Sequence, residues 1–192
     1  MRFPDIKNKA FLAPMAGITD IAFRSLCARY GAGLTVTELL SAKALLQGQE
    51  KTMAMLRRGK DEQFFSVQLF GGEIDDMRRA AVIAQEHADC IDVNMGCPVP
   101  KVCRTGAGSH LLSHPDHARK MVQAMSDAIS IPLTVKIRTG IDRPDAAVPI
   151  ARAVEQGGAS LITVHGRTRA QGYAGTADWG VIEQVKESVA IP

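Results

Sequence analysis

Long apolar runs are missing from this chain of 192 residues. No stretch reaches the about 18 apolar residues that a membrane-spanning helix needs, so nothing in the sequence reads as a span. Strong charge of one sign is missing too. The net charge is +3 and charged residues make up 22%, too mild a balance to announce nucleic acid by itself. The four cysteines, Cys27, Cys90, Cys97 and Cys103, form no C-x-x-C pair in a chain too large to need staples. They read as reduced thiols of a cytosolic protein. Residues 1–9 alternate charged and apolar side chains, and no signal peptide fits. No G-x-G-x-x-G follows the first apolar run, which argues against a dinucleotide-binding sheet. What is present, 46% hydrophobic residues, is ordinary globular usage, which excludes a disordered tail, a collagen-like rod or a low-complexity linker.

Short apolar runs alternate with longer amphipathic ones. The short runs are Ala10–Ala13, Leu34–Thr37, Phe64–Phe70, Cys90–Asn94, Leu133–Ile137 and Leu161–Val164. Several are nearly continuous in apolar or β-branched residues, as strands buried on both faces of a parallel sheet are. Between them lie helical patterns. Asp20 is placed to cap a helix reaching Tyr30, with Gly31 as its stop. Further helices are expected from Asp75 to His87, from Pro115 to about Ile129, from Pro144 to Gln156, and after Asp178 as far as Glu187. Six βα units fit either a doubly wound sheet or most of a (β/α)8 barrel, which needs about 250 residues. The barrel is favoured because polar, chemically useful residues recur just after the strands. The expectation is an incomplete TIM (β/α)8 barrel spanning residues 1–192 as one partial domain. Ser188–Pro192 repeats the shape of Ala128–Pro132, which leads into the fifth strand. Ile191-Pro192 is therefore read as the lip of a seventh strand, with the chain stopping at a βα boundary.

The most informative segment is Cys90-Ile91-Asp92-Val93-Asn94-Met95-Gly96-Cys97-Pro98. A buried strand ends at Asn94, turns through Gly96, and presents a thiol whose following backbone is restrained by Pro98. Strand C-terminal ends are where barrel enzymes keep their catalytic groups. Cys97 could give a proton, or act as a nucleophile if a neighbour lowered its pKa. Cys27 and Cys90 read as small buried hydrophobes.

Asn94–Pro98 together with His165-Gly166-Arg167-Thr168-Arg169 resembles the tRNA-dihydrouridine synthases, the bacterial B-type branch most of all. Ala13-Pro14-Met15-Ala16-Gly17 resembles that family's opening motif. Val67–Gly71 and Val135–Gly140 resemble its third- and fifth-strand motifs. The resemblance implies an FMN enzyme that reduces specific uridines of tRNA to 5,6-dihydrouridine, with NADPH recharging the flavin. It implies that Cys97 gives the proton to C5 after hydride reaches C6, so the thiol must start neutral. Pro14, Met15 and Ala16 would lie along the isoalloxazine, Gln68 would meet its pyrimidine edge, Lys136 its N1/O2 end, and His165 the phosphate side. Asn94, Arg138 and Arg167 would contact substrate. The family's seventh and eighth strands, with their Asn-Gly-Asp and Gly-Arg phosphate segments, and its C-terminal helical tRNA domain, have no counterpart within these residues.

The charge distribution suits an RNA partner. All of the net +3 lies in residues 97–192, with Lys101, Arg104, Lys136, Arg138, Arg143, Arg167 and Arg169 following the fourth to sixth strands. Together they are read as a face that attracts phosphates, around a pocket for a flipped uridine. Thr105–Ser109 lacks the Gly-Lys-Ser/Thr of a P-loop and reads as a mobile stretch beside Cys97. His110, His114 and His117 have no evident fourth partner, so no metal is expected. Cys103 is close enough in sequence to pair with Cys97. A cytoplasmic monomer without membrane attachment is expected. Two other readings stay open: an FMN barrel acting on free pyrimidines, and an inactive RNA-binding product.

Overall fold

The computed structural model describes residues 2–6 and 9–192; the N-terminal reading therefore rests partly on Met1, Lys7 and Asn8, which lie outside the described residues. The strands are β1 (Thr35–Val36), β2 (Leu40–Ser41), β3 (Phe65–Phe70), β4 (Cys90–Met95), β5 (Leu133–Arg138) and β6 (Leu161–His165). The helices are α1 (Ile21–Arg29), α2 (Ala42–Leu46), α3 (Glu50–Met55), α4 (Ile74–Ala84), α5 (Pro100–Cys103), α6 (Pro115–Ser126), α7 (Ala147–Gln156) and α8 (Trp179–Ser188).

All pairings are parallel, and the sheet order β1-β3-β4-β5-β6 follows the chain, with β2 also paired to β3. A doubly wound sheet reverses its order at a switch point; this one runs on in one direction, as a barrel wall does. An isolated parallel bridge, Phe11↔Leu34, adds the first position of the wall. The architecture is an incomplete (β/α)8-type barrel. Among the described residues no helix is long and apolar enough to cross a membrane.

Alternation along the strands splits the wall into two chemistries. Val67, Leu69, Ile91, Val93, Val135 and Ile137 join the main core with helix residues such as Met77, Met121, Ile150 and Val154. The alternate positions hold Gln68, Asp92, Asn94, Thr134, Lys136 and Arg138, and several of these hydrogen-bond to one another. A barrel interior is usually filled by branched apolar side chains. Here that filling is confined to a smaller cluster of Phe3, Leu34, Val36, Cys90 and Leu161, and the remainder is polar.

The caps at Asp20 and Asp178 form as expected, each carboxylate accepting from the amide three residues on, Phe23 and Val181. Gly31 stops α1 at φ 94°. Other expectations need correction. Ala10–Ala13 makes one bridge rather than a strand; hydrogen bonds flank it (Leu12 N–H to Leu34 O, Gly33 N–H to Ala10 O), and Pro14, lacking an N–H, cannot extend it. Pro144 sits in a turn, and α7 begins at Ala147, because the Thr139 carbonyl accepts from both Ala146 and Ala147. α6 stops at Ser126 rather than near Ile129. The short helices α2 and α3 were not expected at all.

Pro132 and Pro192 occupy matching places. The carbonyl of Pro132 accepts from Ile91 of β4, and that of Pro192 accepts from Ile162 of β6, both at 3.0 Å.

Candidate active site

Cys97 stands at the C-terminal end of β4. The Asn94 Oδ1 atom accepts from the backbone N–H of Gly96 at 3.2 Å and of Cys97 at 2.8 Å, closing the turn that presents the thiol. The Cys97 carbonyl accepts from Ser109 N–H at 3.0 Å and from the Cys103 thiol at 3.4 Å. Gly108, at φ +61°, passes so close that an added Cβ would lie 2.8 Å from that carbonyl and 3.1 Å from the Cys97 Cβ. Within the 105–109 stretch, expected to be mobile, Ala107, Gly108 and Ser109 are buried and form a packed wall while Thr105 is exposed, and a 3-10 turn runs from Gly108 to Ser113. Burial raises the Cys97 pKa above the ordinary thiol value, outweighing a hydrogen bond from the Val99 backbone. The thiol is held protonated, as a proton donor requires and a standing thiolate nucleophile does not.

A hydrogen-bond chain runs beneath it. Asn94 Nδ2 donates to Gln68 Oε1 at 2.9 Å, Gln68 Nε2 donates to Asp92 Oδ2 at 2.7 Å, and Thr134 Oγ1 donates to Asp92 Oδ1 at 2.5 Å. Gln68 is 1% exposed and Asp92 5%. Burial raises the Asp92 pKa, against the hydrogen bonds from Gln68 and Thr134 and the charge of Lys136. Asp92 and Thr134 were not singled out from the sequence. A lone carboxylate in an apolar strand reads as a solvent-facing position, and only the parallel register Gln68↔Asp92↔Thr134 reveals a row.

The same register places Lys136 beside Asn94 on one side and Thr163 on the other, and Arg138 beside His165. Lys136 is half-buried and, among the described residues, has no ion-pair partner within 4.0 Å. Desolvation lowers its pKa, with Asp92 pulling the other way. Arg138 is buried and grips three backbone carbonyls: Gly96 at 2.9 Å through Nε, and Thr168 and Gly172, each at 3.0 Å, through Nη1. It ties the Cys97 turn to the loop after β6. The exposed Tyr173 ring lies with its centroid 6.0 Å from the guanidinium carbon. Arg167 donates to the carbonyls of Ala174 and Gly175, and its Nη1 lies 3.3 Å from His165 Nε2. Because arginine only donates, His165 Nε2 accepts. Desolvation first, and then Arg138, Lys136 and Arg167, push the His165 pKa down to about 4, so the ring is neutral at pH 7.

Residues 14–16 lie in the loop after the first wall position. Thr19 holds them there, through Met15 N–H to Thr19 Oγ1 at 3.1 Å and Thr19 N–H to Met15 O at 3.0 Å, while Gly17 N–H donates to Glu38. Gln68, Asn94, Cys97, Lys136, Arg138, His165 and Arg167 therefore form one connected group. Pro14, Met15 and Ala16 share its barrel face without a hydrogen bond to it among the described residues. Lys101, Arg104, Arg143 and Arg169 are exposed around the group. Arg104, His110 and Arg169 line a cleft of about 610 Å³ with Cys103, Pro98 and Pro100. The histidines are occupied otherwise: the His110 and His114 rings stack at 4.4 Å, and His117 Nε2 meets the Gly72 carbonyl at 2.8 Å. Among the described residues no group of three or more His, Cys, Asp or Glu could hold a metal ion. All four cysteines are free.

Parallel βα units following one another in chain order, with a thiol at the C-terminal end of β4, define part of a (β/α)8-type barrel. A family model described as dihydrouridine synthase (Dus) matches residues 11–192, and the chain belongs to this family. It is 43% identical to a probable tRNA-dihydrouridine synthase of Rhizobium leguminosarum bv. phaseoli and 42% identical to the tRNA-dihydrouridine synthase B of Pasteurella multocida. Each match takes in 97% of this chain, but the chain spans only 59% and 57% of those relatives. Among solved structures it resembles a truncated form of 3-deoxy-D-arabino-heptulosonate 7-phosphate synthase from Thermotoga maritima. That likeness has a TM-score of 0.50 at 13% identity, over 95% of this chain and 62% of the other, and speaks for the fold alone.

Proposed function

We propose that the protein reduces uridine in tRNA to 5,6-dihydrouridine, with FMN as its cofactor and NADPH as the electron source. The observation that carries this reading is Cys97, a thiol kept protonated by burial on a hydrogen-bonded turn, beside a cluster of cations at the strand ends. The residues present fit FMN on one ground. Lys136, Arg138 and Arg167 gather positive charge near the buried carboxylate of Asp92, and each lowers the pKa of His165. A site with such an excess suits an anionic group. Lys136 would hold the flavin's N1/O2 end, Gln68 its pyrimidine edge, His165 the phosphate side, and Pro14, Met15 and Ala16 the ring.

Reduced FMN, when bound, supplies the hydride for uracil C6, and NADPH restores it. Cys97 gives its proton to C5. Asn94 keeps the Cys97 turn closed while that proton leaves. His165, being neutral, contributes hydrogen bonding rather than charge. Arg138 spends three donor contacts on backbone carbonyls, which leaves its Nη2 group for substrate. Lys101, Arg104, Arg143 and Arg169 supply phosphate attraction for tRNA, and binding then weakens steeply with salt.

The test is dihydrouridine formation, read by mass spectrometry of nucleosides, on tRNA lacking the modification. Incubation with the protein, FMN and NADPH is expected to produce dihydrouridine, and Cys97→Ala to abolish most of it without releasing the flavin. Flavin-loaded protein that leaves tRNA uridine intact, or that prefers free uracil, refutes the proposal. So does a Cys97→Ala variant as fast as the parent.

A further inference from the structure

Asn and Gln side chains can be turned either way round, because their oxygen and nitrogen ends are alike in shape and opposite in hydrogen bonding. In the chain beneath Cys97, both ends of the row decide the direction. At the upper end the backbone N–H groups of Gly96 and Cys97 need an acceptor, which makes Asn94 present Oδ1 upward and Nδ2 to Gln68. At the lower end the Asp92 carboxylate accepts only, which makes Gln68 present Nε2 downward and Oε1 to Asn94. The two requirements agree. Reversing the row would set Asn94 Nδ2 against two backbone donors.

We propose that Asp92 is a positioning residue for Cys97: its acceptor-only carboxylate, buried three hydrogen bonds away, sets the direction of the Gln68 and Asn94 amides and thereby holds the Gly96–Cys97 turn closed. Its meaning for turnover rests on Cys97 being the proton donor; its meaning for the turn does not. Thr134 Oγ1 occupies the other carboxylate oxygen at 2.5 Å, so Asp92 has no freedom to rotate out of the row. An asparagine side chain at position 92 could face Gln68 with either end, since the Thr134 hydroxyl both donates and accepts.

The experiment is hydrogen exchange at the Gly96 and Cys97 amides of the intact protein, read without flavin or tRNA. Asp92→Asn is expected to admit the reversed row. If only a tenth of molecules adopt it, protection of these amides is capped at about tenfold, and their exchange accelerates accordingly. The double variant Asp92→Asn/Asn94→Asp rebuilds the row in the opposite direction. The carboxylate introduced at position 94 then accepts from both backbone amides and from Gln68 Nε2, and the side-chain amide introduced at position 92 donates to Gln68 Oε1. Parental protection is expected to return. The proposal is overturned if Asp92→Asn keeps parental protection, or if the double variant exchanges as fast as Asp92→Asn. Should Asp92→Asn not fold, a folded and protected double variant supports the proposal and an unfolded one overturns it. Restored protection with no dihydrouridine from any variant, parent included, would defeat the functional reading and leave the positioning role intact.

Discussion

Glu62→Gln tests how the loop carrying Pro14, Met15 and Ala16 is anchored. Glu62 and Arg24 are 4% and 2% exposed and meet at 2.8 Å. Glu62 Oε1 also accepts from Thr35 Oγ1 at 2.6 Å, and Oε2 accepts from Gly59 N–H at 2.5 Å. Arg24 also donates through Nη1 to the Thr19 carbonyl at 3.0 Å and through Nη2 to the Arg57 carbonyl at 2.8 Å, over the Phe65 ring. Glutamine has one acceptor oxygen, so its amide nitrogen must face either the guanidinium or the Gly59 N–H. The guanidinium also loses its counter-charge in a dry site. Removing one partner of a buried pair costs about 3–5 kcal/mol, a large part of the about 5–15 kcal/mol a domain has. At about 2–4 °C per kcal/mol for this chain length, Tm falls by roughly 10 °C. Urea unfolding should show a lower midpoint with an unchanged slope. Because Arg24 grips Thr19 and Thr19 grips Met15, proteolysis within residues 13–19 should quicken in parallel. A Glu62→Gln variant within about 1 kcal/mol of the parent would refute this account, since no buried pair of this geometry should be so cheap to break.

Two further outcomes follow from the site and its floor. Burial pushes the Cys90 thiol up to about 12, so the native state holds a proton that the unfolded chain releases near the ordinary thiol value; stability falls as pH rises between those values, by about 2–3 kcal/mol at pH 11. Cys90→Ala should flatten that decline in urea titrations from pH 8 to 11, and equal slopes for parent and variant would defeat the prediction. Arg138→Lys keeps the charge but loses the fork that grips Gly96, Thr168 and Gly172; about 3 kcal/mol of loop anchoring should go, and trypsin should cut after Arg167 or Arg169 several times faster. Unchanged digestion would show that the loop after β6 does not depend on Arg138.

The wall of the barrel was readable because β3 to β6 hold apolar or β-branched residues at most of their positions, and because Asp20, Asp178 and Gly31 carry cap chemistry that local sequence alone determines. The helices α2 and α3 were not readable. At 5 and 6 residues neither completes enough turns to show a 3.6 period, and their packing is tertiary. Pro144 misled for a related reason. Proline favours a first helical turn, but the Thr139 carbonyl, a partner several positions back, chose Ala147. In the site, Cys97 and Asn94 were visible from turn chemistry around Gly96 and Pro98. The wall formed by Gly108 was not, since only the fold brings it within 2.8 Å of the Cys97 carbonyl for an added Cβ.

The same register explains why the polar interior was hidden and why it matters. Read along one strand, Asp92 or Thr134 is an exception to an apolar run; read across strands, Gln68, Asp92 and Thr134 are one hydrogen-bonded layer, with Asn94, Lys136 and Thr163 the next layer up. In the lower layer every side chain has a partner: Gln68, Asp92 and Thr134 bond in a row, and Gln68 also accepts from Asn94 above. In the upper layer Lys136 lacks an ion-pair partner among the described residues, and its pKa is lowered by the cost of holding charge there. Burying an ammonium without a partner is unfavourable unless something else meets it. A satisfied layer below keeps the thiol and amides rigid, while the layer above leaves the Lys136 charge available to an anionic group.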